Sequence, residues 1–136
     1  MEKSIIMSGK KYLLDTSIII DFFKGREGIG EKIKEAKKVY IPNIATGELY
    51  FGAEISTHPR KNISKLKGFL KSFEILNCTD ETSINYAKIR KQLKEQGTPI
   101  PENDIWIAAL TKQYNLILST TDKHFKQVKD IKIENW

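Results

Sequence analysis

Four acidic residues lie in parts of the sequence that otherwise favour a hydrophobic core. Asp15 closes an apolar stretch and precedes a run of isoleucines, whereas Glu48 lies among apolar residues in a helical pattern. Asp104 opens an apolar helical pattern, and Asp122 comes shortly after the apolar run 116–118. Because an ionised carboxylate among apolar side chains needs a compensating partner, these four residues are candidates for one shared acidic site.

A site of four carboxylates has to overcome the repulsion between like charges. A single pair ~4 Å apart repels by about 4 kcal/mol at an effective dielectric constant near 20. A hard divalent cation removes this repulsion, and Mg²⁺ and Mn²⁺ suit oxygen ligands. Such an ion can activate water and neutralise charge that develops on a phosphodiester, so the four acids together predict a metal site for phosphodiester hydrolysis. Taken singly, the three aspartates also fit cap or turn positions, whereas Glu48 on an apolar stripe is harder to explain in that way.

Short strands and helices alternate along the chain, and this alternation positions the acids. The pattern is typical of a parallel sheet flanked by helices. The predicted strands span 11–15, 39–42, 73–76, 115–119 and 131–133. The predicted helices span 16–24, 31–38, 44–56, a basic segment around 63–70, 79–97 and 102–114. Helix caps are expected from the hydroxyl of Thr16 or Ser17 and from the side chain of Asn43.

The predicted topology brings the acids to one edge of the sheet. In an open α/β sheet, the loops after the carboxyl ends of the strands share one rim, where ligands bind. Asp15 and Asp122 both follow strands and should meet at that rim. Glu48 and Asp104 can join them if their helices start at the same rim. Hydroxyl groups near this rim could position water or phosphate, although at least two are expected to cap helices: Thr16, Ser17, Thr120 and Thr121.

Length and composition restrict the class of protein. A chain of 136 residues, 40% of them hydrophobic, predicts a single domain, 1–136, with its own core. One cysteine, Cys78, excludes a disulfide framework, and no apolar run approaches the ~18 residues of a membrane span. Only a short apolar cluster, 5–7, lies near the start. We therefore expect no secretory signal, no membrane partner and a cytoplasmic location.

The basic residues are concentrated in one segment. The net charge is +6, and residues 55–73 contain no acid. Their basic residues are Arg60, Lys61, Lys65, Lys67 and Lys71. A polyanion would contact such a segment through its phosphates. A solvated helix face explains the same residues equally well, so charge alone leaves both interpretations open.

Four stretches of the sequence carry a resemblance to a known family. They are LLDTSIIIDFFKG at 13–25, IPNIATGELYFGA at 41–53, PENDIWIAAL at 101–110 and LSTTDKHF at 118–125. In this order, and in a chain of this length, they resemble the PIN-domain family, most closely the VapC-like ribonuclease toxins of toxin–antitoxin pairs. The resemblance spans nearly the whole chain but is poor over 55–72, so it assigns nothing to the lysines of that segment.

The resemblance implies a fold and an activity. The fold would be a three-layer α/β/α sandwich with a parallel central sheet, and the activity would be Mg²⁺-dependent endoribonuclease cleavage, with Mn²⁺ able to substitute. Water would attack the RNA phosphodiester in line and leave 5′-phosphate and 3′-hydroxyl ends. The metal-binding and catalytic acids of the family correspond to Asp15, Glu48, Asp104 and Asp122. Supporting positions of the family correspond to Thr16, Asn103 and Thr120.

The resemblance also implies protein partners. They are a small cognate antitoxin that covers the acidic pocket and a second copy of the chain in a homodimer. Aromatic residues that one helix face cannot wholly bury are candidate contacts, although core packing explains at least half of them: Phe22, Phe23, Tyr50 and Phe51.

Other functions fit the residues less well. A metal-independent ribonuclease would require paired acid–base groups, usually histidines, but His58 and His124 are interpreted as surface or capping residues. An aspartyl phosphatase would require a second acid two positions after Asp15, where Ser17 stands. The alternatives that stay open are a non-catalytic basic nucleic-acid-binding α/β domain and a housekeeping PIN ribonuclease without an antitoxin.

Overall fold

A parallel sheet forms the centre of the protein, whose computed structural model describes residues 9–136. The strands of the described part are β1 (Lys11–Leu14), β2 (Lys38–Pro42), β3 (Glu74–Leu76), β4 (Ile117–Ser119) and β5 (Lys132–Glu134). They follow the spatial order β3-β2-β1-β4-β5, and every neighbouring pair is parallel. The apolar cluster 5–7, on which the expected absence of a secretory signal rests, lies outside the described residues.

In the described part of the chain, helices connect each strand to the next one in sequence. They are α1 (Thr16–Phe23), α2 (Ile29–Glu35), α3 (Asn43–Glu54), α4 (Pro59–Leu70), α5 (Asp80–Gln96), α6 (Glu102–Gln113) and a 3-10 helix (Lys123–Gln127). Every strand and helix predicted from the sequence is present, and the 3-10 helix is an addition. Within residues 9–136, no helix combines the length and the apolar character needed to cross a bilayer.

Alternating side chains of the strands build two cores, one on each face of the sheet. In β1, Leu13 points to one face, whereas Tyr12 and Leu14 point to the other, as the two-residue period of a strand requires. Helices α5 and α6 pack on the Leu13 side, and helices α1 to α4 pack on the opposite side. The expected three-layer α/β/α sandwich with a parallel central sheet is thereby confirmed.

The strand order creates a crevice between β1 and β4. The chain passes from β1 to β2 on one side, whereas β4 pairs with β1 on the other side. Ligand sites of open α/β sheets form at such a reversal, outside the carboxyl ends of the strands. At this point the backbone N–H of Asp15 donates to the carbonyl oxygen of Ser119 at 3.0 Å. The residues that follow β1 and β4 are therefore held side by side.

Two helix caps differ from the prediction, one because the side chains have other partners and one because the helix begins a residue earlier. Asp15 occupies the N-cap position of α1, and the hydroxyls of Thr16 and Ser17 donate to carboxylates instead of capping the helix. Asn43 is the first residue of α3, and Pro42 occupies the cap position. The hydroxyls expected to serve the backbone of α1 serve the acidic residues.

Two element boundaries move where the backbone adopts a positive φ. Gly28, with a φ of 94°, precedes α2, which begins two residues and ends three residues before the prediction. Because the helix ends early, Lys38 becomes part of β2. Asn115 has a φ of 51°, which lies outside the extended region of a strand, so β4 begins later than predicted.

The ring of Phe125 anchors the 3-10 helix in the core, so its removal is expected to destabilise the fold. Because this ring is fully buried, Phe125→Ala should lower the free energy of unfolding by about 3–5 kcal/mol. The matched control is Phe51→Ala in α3, where a 64%-exposed residue should contribute less than about 0.5 kcal/mol. Chemical denaturation followed by circular dichroism measures both values. Equal losses in the two variants would contradict this packing.

Candidate metal centre

The four acids predicted from the sequence converge at the carboxyl end of the sheet. Asp15 follows β1, and Asp122 follows β4. Glu48 lies in α3 and Asp104 in the first turn of α6, and these two helices contact each other. The charges of Asp122, Asp15 and Glu48 all act on Asp104. The structure thus brings together residues that are far apart in the chain.

Two hydroxyl groups hold the carboxylate of Asp15. The residue is only 4% exposed, and its Oδ2 accepts hydrogen bonds from Ser17 Oγ and Thr120 Oγ1, both at 2.8 Å. Burial raises the pKa of Asp15, hydrogen bonds from Thr120 and Ser17 oppose the rise, and the charge of Asp122 adds to it. Asp15 is therefore a fixed carboxylate whose charge the protein compensates only in part.

Thr120 links two of the acids. Its hydroxyl donates to Asp15 and also accepts a hydrogen bond from the backbone N–H of Asp122 at 2.9 Å. Ser17 Oγ acts in a similar way, because it accepts from the backbone N–H of Thr121 at 3.1 Å while it donates to Asp15. These two hydroxyls fix the loop after β4 to the start of α1.

The other two supporting residues differ in how closely they contact the acids. Thr16 Oγ1 donates a 2.7 Å hydrogen bond to Oε1 of Glu48, which orients a half-buried carboxylate that comes from a different helix. Asn103 is exposed and lines the cleft beside Asp104. Thr16 therefore positions an acid, whereas Asn103 lies where it can contact a ligand.

Asp104 carries the least compensated carboxyl oxygen of the cluster. The residue is 8% exposed, and its Oδ2 is buried without a hydrogen-bond partner among the described residues. Burial, the adjacent carboxyl group of Asp122, which can accept a hydrogen bond only from the protonated form of Asp104, and the charges of Asp122, Asp15 and Glu48 raise the pKa of Asp104 to about 8. A buried acceptor without a donor is unfavourable, and a cation that contacts it would remove both the repulsion and the missing bond.

His124 contacts two of the acids. Its backbone N–H donates to Oδ1 of Asp122 at 2.9 Å, and its Nδ1 lies 2.8 Å from the same oxygen. Nδ1 also lies 3.4 Å from Oδ2 of Asp104, a contact that lacks hydrogen-bond geometry. The donor atoms of Asp104, Asp122 and His124 all lie within 4.8 Å of one another, which is compact enough for one metal ion.

Three of the four acids border an open cleft that fits a divalent cation and a charged substrate, whereas Asp15 is buried behind it. The cleft has a volume of about 420 Å³ and is lined by Glu48, Pro101, Glu102, Asn103, Asp104, Asp122 and His124. Oxygen atoms dominate the donor set, and one of them is buried and unpartnered. This chemistry is suited to a hard divalent ion, because Mg²⁺ and Mn²⁺ bind preferentially to carboxylate oxygens and water.

Sequence reasoning did not identify His124 as part of the cluster. A lone histidine is usually a surface or capping residue, and its side chain is indeed 53% exposed. The signal that could have found it is its position two residues after Asp122, in a turn that directs both side chains toward the same cleft. The role of Ser17 in holding Asp15 was likewise not distinguished from helix capping.

Sequence comparison and structure comparison with known proteins identify the same group of similar proteins. Residues 12–131 match the family model described as PIN domain. Ribonuclease VapC2 of Haemophilus influenzae is 36% identical over 129 residues, which is 93% of this chain and 98% of that protein. The tRNA(fMet)-specific endonuclease VapC of Salmonella typhimurium is 31% identical over the same shares of the two chains. In the crystal structure of DNA-bound VapBC from Salmonella typhimurium, a chain with 30% identity superposes with a TM-score of 0.87, again over 93% and 98%.

The likenesses extend over nearly the whole chain and agree with the resemblance carried by the four sequence stretches. They include Asp15, which follows β1, and the loop that holds Asp122, since both lie within the matched residues. This chain belongs to the PIN-domain family.

Proposed function

We propose that the protein is a metal-dependent endoribonuclease and the toxin of a toxin–antitoxin pair. The observation that carries this proposal is the convergence of four acids, two of which follow β1 and β4 and two of which lie in α3 and α6. One of them, Asp104, has a buried oxygen without a hydrogen-bond partner among the described residues. Relatives named as VapC ribonucleases support RNA as the substrate. Independent helix caps, as in a non-catalytic basic domain, would give no reason for the acids to converge.

Asp15, Glu48, Asp104 and Asp122 would hold the ion, which we propose to be Mg²⁺ with Mn²⁺ able to substitute. When bound, a divalent ion lowers the pKa of water and neutralises charge that develops on the phosphate. The protein prepares for this because hydroxyls already fix Asp15 and Glu48, so their carboxylates need little reorganisation. Without a cation, the same carboxylates would repel the RNA backbone.

The open cleft is consistent with attack on an internal phosphodiester of a long substrate. Asn103 at its border is exposed and can donate a hydrogen bond to a phosphate oxygen or a base. We propose that cleavage leaves 5′-phosphate and 3′-hydroxyl ends. The basic residues of α4 are all exposed, which suits either additional RNA contacts or a solvated face.

The antitoxin is proposed to bind along α3. A second cavity of about 470 Å³ lies between α1, α3 and α4 and is mostly lined by apolar residues, with Lys24 and Lys65 at its border. Phe51 on α3 and Ile55, which directly follows α3, are 64% and 70% exposed. Since Glu48 belongs to the same helix, a segment that follows α3 would reach from this groove to the acidic cleft. Solved VapBC complexes among the structural relatives support such a partner.

The aromatic contacts expected from the sequence divide into two groups. Phe22 and Phe23 pack against Phe69 at ring-centroid distances of 5.2 and 5.0 Å, so core packing explains them. Tyr50 is half-buried, whereas Phe51 is exposed and is the aromatic residue best placed for a partner. We further propose that residues 1–136 act as a single domain, as a homodimer and in the cytoplasm.

Loss of a cluster acid is expected to abolish RNA cleavage. Asp104→Asn should lower the cleavage rate by at least about 100-fold, because even residues that only support metal ligands contribute about 10–100-fold. Asp21→Asn is the matched control, since Asp21 pairs with Arg26 at 2.7 Å away from the cleft and should leave the rate unchanged. The assay measures cleavage of a labelled RNA with Mg²⁺, with Mn²⁺ and with EDTA. Cleavage that persists in both EDTA and the Asp104→Asn variant would refute the proposal.

The contribution of Asp104 to the stability of the metal-free protein is expected to fall as the pH rises from about 4 to about 8. The pKa of Asp104 is about 8 in the folded chain against an ordinary value of 3.8, so the folded state binds this proton more strongly over that window. Asn needs no proton, and Asp104→Asn should raise the melting temperature at pH 8 by about 4 °C or more, for a gain of at least about 1 kcal/mol.

Melting curves in EDTA at pH 5 and pH 8 test this expectation, with Asp21→Asn as the control. The difference between Asp104→Asn and wild type should be larger at pH 8, and comparing the two proteins cancels the other titrating groups. Added Mg²⁺ or Mn²⁺ should raise the wild-type melting temperature. A variant that melts with the wild type at both pH values would show that Asp104 is not electrostatically strained.

The exposed apolar surface of α3 is expected to contribute to antitoxin affinity. Phe51→Asp should weaken binding of the proposed cognate antitoxin by at least about tenfold, because a central aromatic contact typically contributes about 2 kcal/mol or more. Ile84→Asp on α5 is the matched control, since Ile84 is also exposed, at 45%, but belongs to the other helical layer. Isothermal titration calorimetry measures both affinities. A larger loss for Ile84→Asp would place the interface elsewhere.

A further inference from the structure

His124 is positioned like a third member of the ligand set formed by Asp104 and Asp122. Its Nδ1 lies 2.8 Å from Oδ1 of Asp122 and 3.4 Å from Oδ2 of Asp104. Two ligand atoms at adjacent positions of an octahedral ion, each ~2.1 Å from it, are themselves about 3 Å apart. The spacing of this nitrogen from both oxygens is therefore the spacing of neighbouring ligands around one ion.

The state of the Asp104 oxygen supports the same assignment. Oδ2 of Asp104 belongs to a residue that is 92% buried, accepts no hydrogen bond from the described residues, and faces the imidazole. If His124 served only to donate a hydrogen bond to Asp104, the contact would have hydrogen-bond geometry. A cation that contacts both groups would give the buried oxygen of Asp104 the partner that it lacks.

We propose that His124 binds the divalent ion directly through Nδ1, and that this nitrogen makes the site bind Mn²⁺ more tightly than Mg²⁺. The inference rests on the proposed metal-dependent function, and it adds a ligand to the four acids. Mg²⁺ prefers oxygen ligands almost exclusively, whereas imidazole is a common ligand of transition metals. Nδ1 would offer its lone pair to the ion, and the proton of the neutral ring would reside on Nε2.

Two other roles of His124 make different predictions. If the imidazole only orients Asp122, its loss should weaken all divalent ions to a similar extent. If the imidazole contacts the RNA backbone, its loss should leave metal binding unchanged. The exposed edge of the ring makes the second role physically feasible, because the side chain is 53% exposed.

The test compares the full-length wild type with His124→Gln and with the matched control His58→Gln. His58 is exposed at the N-cap of α4 and does not line the acidic cleft. Isothermal titration calorimetry measures dissociation constants for Mn²⁺ and for Mg²⁺ without RNA. Pulsed electron paramagnetic resonance of the Mn²⁺-loaded proteins detects coupling of the metal to a ligating ¹⁴N nucleus. Circular dichroism and melting curves establish that each variant is folded.

The expected result is a ¹⁴N coupling in wild type and His58→Gln that is absent in His124→Gln. The Mn²⁺ dissociation constant should rise about tenfold in His124→Gln, while that for Mg²⁺ should change by less than about twofold. A ¹⁴N coupling that survives in His124→Gln, equal weakening of both ions, or no weakening of either would overturn the inference. Wild type that binds neither ion would instead overturn the proposed metal-dependent function, so the two failures are distinguishable.

Discussion

Repulsion between carboxylates at the carboxyl end of the sheet is the interaction on which the rest of the site depends. The protein carries a net charge of +6, yet it brings four acids close together at one end of the sheet, and three of them line one cleft. Burial of Asp15 and Asp104 intensifies the repulsion, because it removes the water that would screen it. Carboxylates this close together persist in a folded protein only if the surrounding structure holds them in place and a bound ligand compensates their charge.

The surrounding structure meets this requirement with a small number of hydroxyl groups. Thr16, Ser17 and Thr120 direct their hydroxyls to acids rather than to helix ends, and Thr120 also accepts from the backbone of the Asp122 loop. These bonds join β1, α1, α3 and the loop after β4 at the crevice between two central strands. Asp104, by contrast, is left with a buried oxygen that lacks a protein donor in the described part of the chain. Hydroxyl groups therefore fix the carboxylates of Asp15 and Glu48, whereas the carboxylate of Asp104 has an oxygen that no described donor contacts.

The sequence predicted the scaffold and the acids better than the contacts between them. Strand ends and helix patterns were sufficient to place Asp15 and Asp122 at one rim, because parallel topology leaves few alternatives. Cap positions could not be predicted in the same way, since Thr16 and Ser17 had two kinds of partner and only the fold decides between a backbone N–H and a carboxylate. His124 was underestimated for a related reason: its significance depends on its distance from Asp104, which no local pattern reveals. The shift of α2 followed from the backbone conformation of Gly28.

The pairing of the first strand with a late one has a consequence for how the protein is made. Thr120 and Asp15 are separated by 105 residues, and the bond between them closes the crevice. Contacts of such high sequence separation form late, because the entropy of closing a long loop must be overcome first. During translation, the segment that holds Asp122 leaves the ribosome after the segments that hold the other three acids. A nascent chain therefore cannot assemble its complete acidic cluster until this segment has been synthesised and has paired with the end of β1.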